Sequence, residues 1–435
     1  MVNERGLQPY MKRILALIIV SAILLVSCSH KIKNEKGSAA GAPAAPGFTY
    51  TESSDGILDF GSRRFGFGYY DGYIYVMANG TLYRINERTG NATSVCADPL
   101  CFHDSPECLL YGIKNIFYIS AEGDICFVQM YFERYDDKGT LKYPGQNRFV
   151  KLDTQSSRVT VLDDYSEVGS SFHCPEIYYG NQRVYYGQEY DAENNELTYG
   201  VRKTDLDTGK SEFWGGEETK DGYITLREVD LLFRIGERIY FNDGECVFSL
   251  DENGGCREVL YNIKIPLNSG ATATDGEFLY HSSSIGNGEI VRYSLETGEK
   301  EILVDKRYTG QNFIMTKDYI YYNDGEDVVL GKAQIRGYAS DTVTLSSGEL
   351  WRCRHDGSGK EFVYTYSGKT ENIRPFSQTI IGNYLWADYT WWEDPDGDGV
   401  YTDGAQKRST HNDGKASLLR IDLTSGEALT VDIIK

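Results

Sequence analysis

The stretch DGYIYVMANGTLYRINERTGNATSV (71–95) holds two patterns whose recurrence decides the fold. DGYIYVM (71–77) is a turn pair followed by alternating aromatic and aliphatic residues, as in a strand. LYRINERTGNATSV (82–95) is a strand carrying Arg84, a tight turn ending in Gly90, and a more polar strand. Gly suits the turn because that position often needs positive φ. The second pattern returns as FVKLDTQSSRVTVL (149–162), VRKTDLDTGKSEFW (201–214), VFSLDENGGCREVL (247–260), VRYSLETGEKEIL (291–303), LWRCRHDGSGKEFV (350–363) and LLRIDLTSGEALTV (418–431). The first returns as GDICFVQ (123–129), NQRVYYG (181–187), GERIYFN (236–242), DGEFLYH (275–281), KDYIYYN (317–323) and GNYLWAD (382–388). Segments just upstream, such as NIFYI (115–119) and NFIMT (312–316), add one strand to each unit.

Four strands per unit, seven units and almost no helical periodicity predict an all-β chain folded as a β-propeller of seven four-stranded blades. Six or eight blades remain open if an end unit is misread, and a β-sandwich is the alternative architecture. Composition agrees. With 435 residues, 40% hydrophobic and 25% charged, the chain is too long and too apolar for disorder, and its 34 Tyr and 46 Gly favour strands and turns. Residues 48–65 are expected to give a strand that closes the ring against the last blade.

Let the strands of a blade be A to D from the axis outward. Strand alternation then puts B–C loops and D–A connections on one face, and A–B and C–D turns on the other. Long B–C insertions fall in blade 2 (132–147), blade 3 (189–198), blade 6 (325–348) and blade 7 (389–416). These blades and blade 1 are contiguous in a closed ring, so the extensions are expected to crowd one arc of one face. The alternative is drift in loop length without purpose.

The amino terminus gives an expected address. Met11, Lys12 and Arg13 precede the apolar stretch Ile14 to Val26, too short for a bilayer span and suited to a signal-peptide core. Residues 1–27 read as a signal peptide, with translation expected to start at Met11. Residues 28–47, rich in Lys, Ala, Gly and Pro, read as a tether, and 48–435 as the propeller. The 44 Lys plus Arg against 64 Asp plus Glu give a formal charge of −20. Such a polyanion is a poor partner for nucleic acid or anionic lipid.

Two constellations are candidate metal sites. Asp394, Asp396 and Asp398, with Gly399 and then Asp403, offer oxygens at the spacing of a calcium loop. Position 12 is Ala405 rather than Glu, so Asp403 or Glu393 has to complete the shell. The alternative is a solvated acidic hairpin tip. Cys96, Cys101, His103 and Cys108 bring three thiols and an imidazole together in the connection between blades 1 and 2. They suit zinc or, in an exported protein, a disulfide. Cys246 and Cys256 flank a turn and are a candidate pair. Cys126, Cys174 and Cys353 read as buried strand thiols. Trp391 and Trp392, with Trp386, stand near the acidic loop as a candidate apolar platform for a sugar or peptide, or as packing for a large insertion.

Leu25-Val26-Ser27-Cys28 resembles the lipobox of bacterial lipoproteins, in which the Cys is acylated and becomes the new amino terminus. Together with the repeated units and the Cys-x4-Cys-x-His-x4-Cys segment, it makes the chain similar to β-propeller lipoproteins of Gram-positive bacteria, and its propeller part similar to TolB-like and low-density-lipoprotein-receptor-like propellers. The resemblance implies lipidation at Cys28, a place at the outer side of the cell membrane and a propeller; it implies no substrate.

The sequence holds no G-x-S-x-G, no H-E-x-x-H and no G-x-x-x-x-G-K-[ST]. The expectation is a monomeric, non-catalytic binding or scaffold module, attached to the membrane by its lipid and binding a glycan, peptide or envelope protein on the loop-rich face. The rival is an envelope hydrolase or lyase with carboxylates at the channel mouth.

Overall fold

The computed structural model describes residues 67–434 apart from short connecting segments, of which 165–175 and 404–414 are the longest; residues 1–66 lie outside it. Seven four-stranded antiparallel sheets follow one another along the chain. In blade 1, strands A to D are Phe67–Tyr70, Tyr73–Ala78, Thr81–Asn86 and Ala92–Ser94. The other blades occupy 113–164, 176–214, 230–260, 272–304, 313–365 and 371–434, each with the same strand order. The architecture is the expected seven-bladed propeller.

The core explains why the repeat reads as it does. Each sheet is sandwiched between two others, so strands B and C are buried on both faces and must be apolar at consecutive positions. Ile74, Tyr75 and Val76 are all buried, as are Ile125 to Val128. Strands D are half exposed, as in Lys300–Val304, and their charged residues guard the sheet edge. Seven apolar clusters form among the described residues, and each joins consecutive blades. One of them joins blade 7 to blade 1 through Ile74, Val76, Ile381, Trp386, Leu418 and Val431, and so closes the ring. The strand expected from 48–65 lies outside the described residues. Blade 7 takes all four of its strands from 371–434, so the ring closes through side chains packed between complete blades.

The strand-C arginine of the repeat is a staple. Arg292 stacks over Phe278 at 4.3 Å, pairs with Glu301 at 2.6 Å, and donates from Nη1 to the His355 carbonyl in the next blade at 3.1 Å. Arg420 stacks over Tyr384 at 4.7 Å and donates to the Glu87 carbonyl of blade 1 at 2.7 Å, repeating that contact across the ring closure. Lys151 of blade 2 also crosses to the next blade, but to a side chain, the Asp207 carboxylate of blade 3 at 3.4 Å. Blade 4 has Ser249 on strand C where the repeat has Arg. There Arg238 from strand B donates to the Ser249 hydroxyl at 3.0 Å and meets Glu258 at 3.4 Å.

The C–D turns of blades 1, 3, 5 and 7 share one hydrogen-bond scheme. The amides of Gly90, Gly209, Gly298 and Gly426 donate to the carbonyls of Asn86, Asp205, Ser294 and Asp422 at 2.8–2.9 Å. The side chain opening the turn accepts from amides two or three residues on: Asp422 Oδ1 from Thr424 at 2.8 Å and Ser425 at 3.0 Å, and Asn86 Oδ1 from Arg88 at 3.1 Å and Thr89 at 3.0 Å. Blade 2 has Ser157 in the left-handed position, at φ 56°.

These turns carry a pH dependence. Hydrogen bonds from the Ser156 hydroxyl and amide hold Asp153 below the usual carboxylate range, and the Ser425 and Thr424 amides do the same for Asp422. A depressed folded pKa adds stability above the unfolded value, about 3.9, which is lost as pH falls through the folded value. Asp153→Asn with Asp422→Asn keeps the accepting oxygen, as Asn86 does in blade 1. The double variant is expected to fold normally at neutral pH and to lose less Tm than the wild type between about pH 5 and 2. Parallel acid titrations of Tm would count against this origin of acid sensitivity.

Candidate functional site

The two faces are built differently. On one, A–B and C–D turns are bonded to each other: the amides of Glu87, Leu206, Leu295 and Leu423 donate to the carbonyls of Gly72, Asn181, Glu277 and Asn383 at 2.9–3.1 Å. On the other lie the B–C extensions and D–A connections, and their form differs from blade to blade.

In blade 3 the extension is a plain lengthening of the B–C hairpin, Gln182–Asp191 against Glu196–Asp205. In blade 2 it contains a short hairpin, Arg134–Tyr135 against Leu141–Tyr143. The insertions of blades 6 and 7 join. Blade 6 contributes the hairpin Val328–Ile335 and Tyr338–Leu345. Blade 7 contributes Val400–Asp403, which pairs in parallel with the first strand of that hairpin through Lys332↔Val400, Ala333↔Tyr401 and Gln334↔Thr402. It also pairs antiparallel with the end of blade 7's strand B, through Trp392↔Asp403 and Glu393↔Thr402. Two insertions whose paired residues are 68 positions apart in the chain thus form one continuous sheet, and for blades 6 and 7 the expected crowding of one arc is observed.

That register places Trp392 opposite Asp403, and Trp391 opposite Glu371 of strand A. Asp394, Asp396 and Asp398 lie outside the described residues. Trp386 corrects the sequence expectation. It is fully buried in the cluster that closes the ring and belongs to no surface platform. Its position in GNYLWAD equals that of Tyr75 in DGYIYVM, and this alignment was the signal for a core residue.

The connection between blades 1 and 2 spans 95–112 without a strand or helix among its described residues. It holds Cys96, Cys101 and Cys108, whose sulfurs lie within 4.8 Å of one another. Among the described residues this is the one group of three or more His, Cys, Asp or Glu side chains so gathered. His103 lies outside the described residues. All three are thiols, and no disulfide joins them. Cys108 is buried beside Leu110 and Ile113 in the cluster between blades 1 and 2, with Cys96 and Cys101 packed against it. The Leu110 amide donates to Cys108 Sγ at 3.4 Å. Burial pushes the Cys108 thiol up to about 12, with its Cys101 neighbour adding to the rise and the Leu110 amide opposing it.

The connection is docked on the B–C end of blade 2. Gln129 Nε2 donates to the Tyr111 carbonyl at 2.8 Å and the Leu109 carbonyl at 3.4 Å, and Arg148 Nε donates to Gln129 Oε1 at 2.8 Å. The Met130 amide donates to the Gly112 carbonyl at 2.9 Å. The thiol group therefore sits on the face of the B–C extensions, as strand alternation predicts. Cys126 and Cys353 are buried within strands, as expected. Cys246 contacts Asp243 at 3.7 Å, while Cys174 and Cys256 lie outside the described residues. No described helix is long and apolar enough to cross a membrane.

No protein-family model matches the sequence, and no curated protein does. Solved structures do. One, from a study of two prolyl endopeptidases, shares 10% identity at a TM-score of 0.49 over 86% of this chain; this chain spans 51% of its length. An oligogalacturonate lyase from Vibrio parahaemolyticus shares 12% identity at a TM-score of 0.39, over 76% of this chain and 84% of its own. A chain of a nidogen–laminin complex shares 11% at a TM-score of 0.34, over 66% and 90%. The fold assignment rests on the blades themselves.

Proposed function

We propose that the protein is a lipid-anchored extracytoplasmic β-propeller that acts as a non-catalytic binding or scaffold module, taking a glycan, peptide or envelope protein on its built-out face. The observation that carries this reading is the parallel pairing of the blade 6 and blade 7 insertions, Lys332↔Val400 to Gln334↔Thr402. Loops that lengthen without purpose have no reason to meet and share a sheet. Here two blades place extra backbone in one shaped projection, on the face whose counterpart is occupied by repeated turns. Loops held on a rigid scaffold are a common way to build recognition. The lipobox-like Leu25–Cys28 segment supports the anchor, and the acidic loop 394–403 supports calcium as a helper of binding.

The test is a glycan and peptide array probed with the detergent-solubilised full chain, with and without millimolar calcium, beside Trp391→Ala/Trp392→Ala and Asp396→Ala variants. Binding by the wild type that both variants weaken at least about tenfold, a loss of about 1.4 kcal/mol, is the expected result. Turnover of an arrayed compound, or binding indifferent to both variants, overturns it. Mass spectrometry of the mature chain is expected to find a diacylglyceryl group on Cys28; an unmodified mature terminus would remove the anchor from the proposal.

A further inference from the structure

We propose that Cys96, Cys101 and Cys108 are thiolate ligands of a zinc ion that fastens the blade 1–blade 2 connection to the built-out face. Their sulfurs already lie within 4.8 Å of one another. Tetrahedral zinc with bonds of about 2.3 Å sets its sulfurs about 3.8 Å apart, so closing on a cation takes shifts of about an ångström. The Leu110 amide, 3.4 Å from Cys108 Sγ, is a donor suited to a metal-bound sulfur, whose charge it would stabilise.

Chemistry favours the metal over a disulfide. A disulfide uses two of three neighbouring sulfurs and leaves the third in position to attack it by exchange. A cation uses all three. The segment also needs a fastening. Residues 95–112 cross between blades with no strand or helix among those described, while Leu100 is 82% exposed and Leu109 is 43% exposed. Long connections without structure of their own are uncommon unless something orders them. Among the described residues, no fourth Cys, His, Asp or Glu joins the group. The site is independent of what the outer face binds.

The experiment loads the full chain, purified under reducing conditions and stripped with chelator, with zinc or cobalt(II). One metal equivalent per chain is expected, with thiolate-to-cobalt charge-transfer absorption. Cys101→Ser and Cys108→Ser are each expected to weaken zinc binding by more than about 100-fold, beyond the about 10–100-fold that loss of an outer partner costs. Cys246→Ser, in blade 4, is expected to leave it unchanged. In the unsubstituted chain, where no variant can misfold, zinc is expected to raise Tm and to slow amide exchange across 95–112. Three titratable thiols with no metal retained, or a disulfide within the trio found by mass spectrometry, overturns the proposal. So does a cobalt spectrum that survives Cys108→Ser.

Discussion

Trp386→Ala is expected to cost about 3–5 kcal/mol of unfolding free energy, the range for truncating a fully buried large aromatic. Trp386 has no exposed surface and sits where blade 7 meets blade 1, among Ile74, Val76, Ile381, Leu418 and Val431. Strand A of blade 7 lies on one side of it, through Thr379, and strand C on the other, through Arg420. The loss also falls on the junction that turns a row of blades into a ring, so faster amide exchange is expected first in Ile74–Val76 and Leu418–Ile421. Trp386→Phe keeps a ring in the site but removes three ring atoms, the unpartnered Nε1 among them. The indole Nε1 is buried and meets no hydrogen-bond acceptor, so removing it strands no partner, and the smaller cavity is expected to cost about 1–3 kcal/mol, less than the alanine change. Chemical denaturation of both variants checks the pair. An alanine variant within 1 kcal/mol of wild type would mean that blade 7 closes on blade 1 without this side chain.

Most of the fold was legible because the physics repeats. A strand pressed between two sheets has to be apolar on both faces, and this is why IYV at 74–76 and ICFV at 125–128 stand out. A C–D turn needs an accepting side chain to open it and a left-handed residue to close it, hence the recurring Asp or Asn and Gly. The site was less legible because its parts meet only in three dimensions. Nothing in 328–335 signals a partner at 400–403, since parallel pairing between insertions leaves no local pattern. Arg238 standing in for the missing strand-C arginine of blade 4 is equally hidden, because it comes from a different strand. The thiol group was visible as spacing, and strand alternation put it on the B–C face; what the sequence hides is how it is held there, through the docking of 108–112 on Gln129 and Met130.

Gly209→Ala is expected to cost about 2–4 kcal/mol, and Gly90→Ala only about 1–2. The two glycines occupy the same turn position at nearly the same angle, φ 71° and 72°, so the strain of placing an L residue there is common to both. Their surroundings differ. A Cβ on Gly209 would stand 2.8 Å from the carbonyl oxygen of Leu162, on the outer strand of the preceding blade, and backbone held in a sheet has no rotamer by which to yield. A Cβ on Gly90 would meet the Cγ2 of Val431 at 3.5 Å, an ordinary van der Waals contact. Gly426, with the Val363 carbonyl at 3.2 Å, is expected to fall between them. In these three turns the glycine therefore serves two ends: it permits the left-handed angle, and it lets the turn lie against the outer strand of the blade before it. Denaturant midpoints of the three alanine variants test this ordering. Equal losses would show that backbone angle alone governs the position and that the blades can part at their outer edges to admit a methyl group.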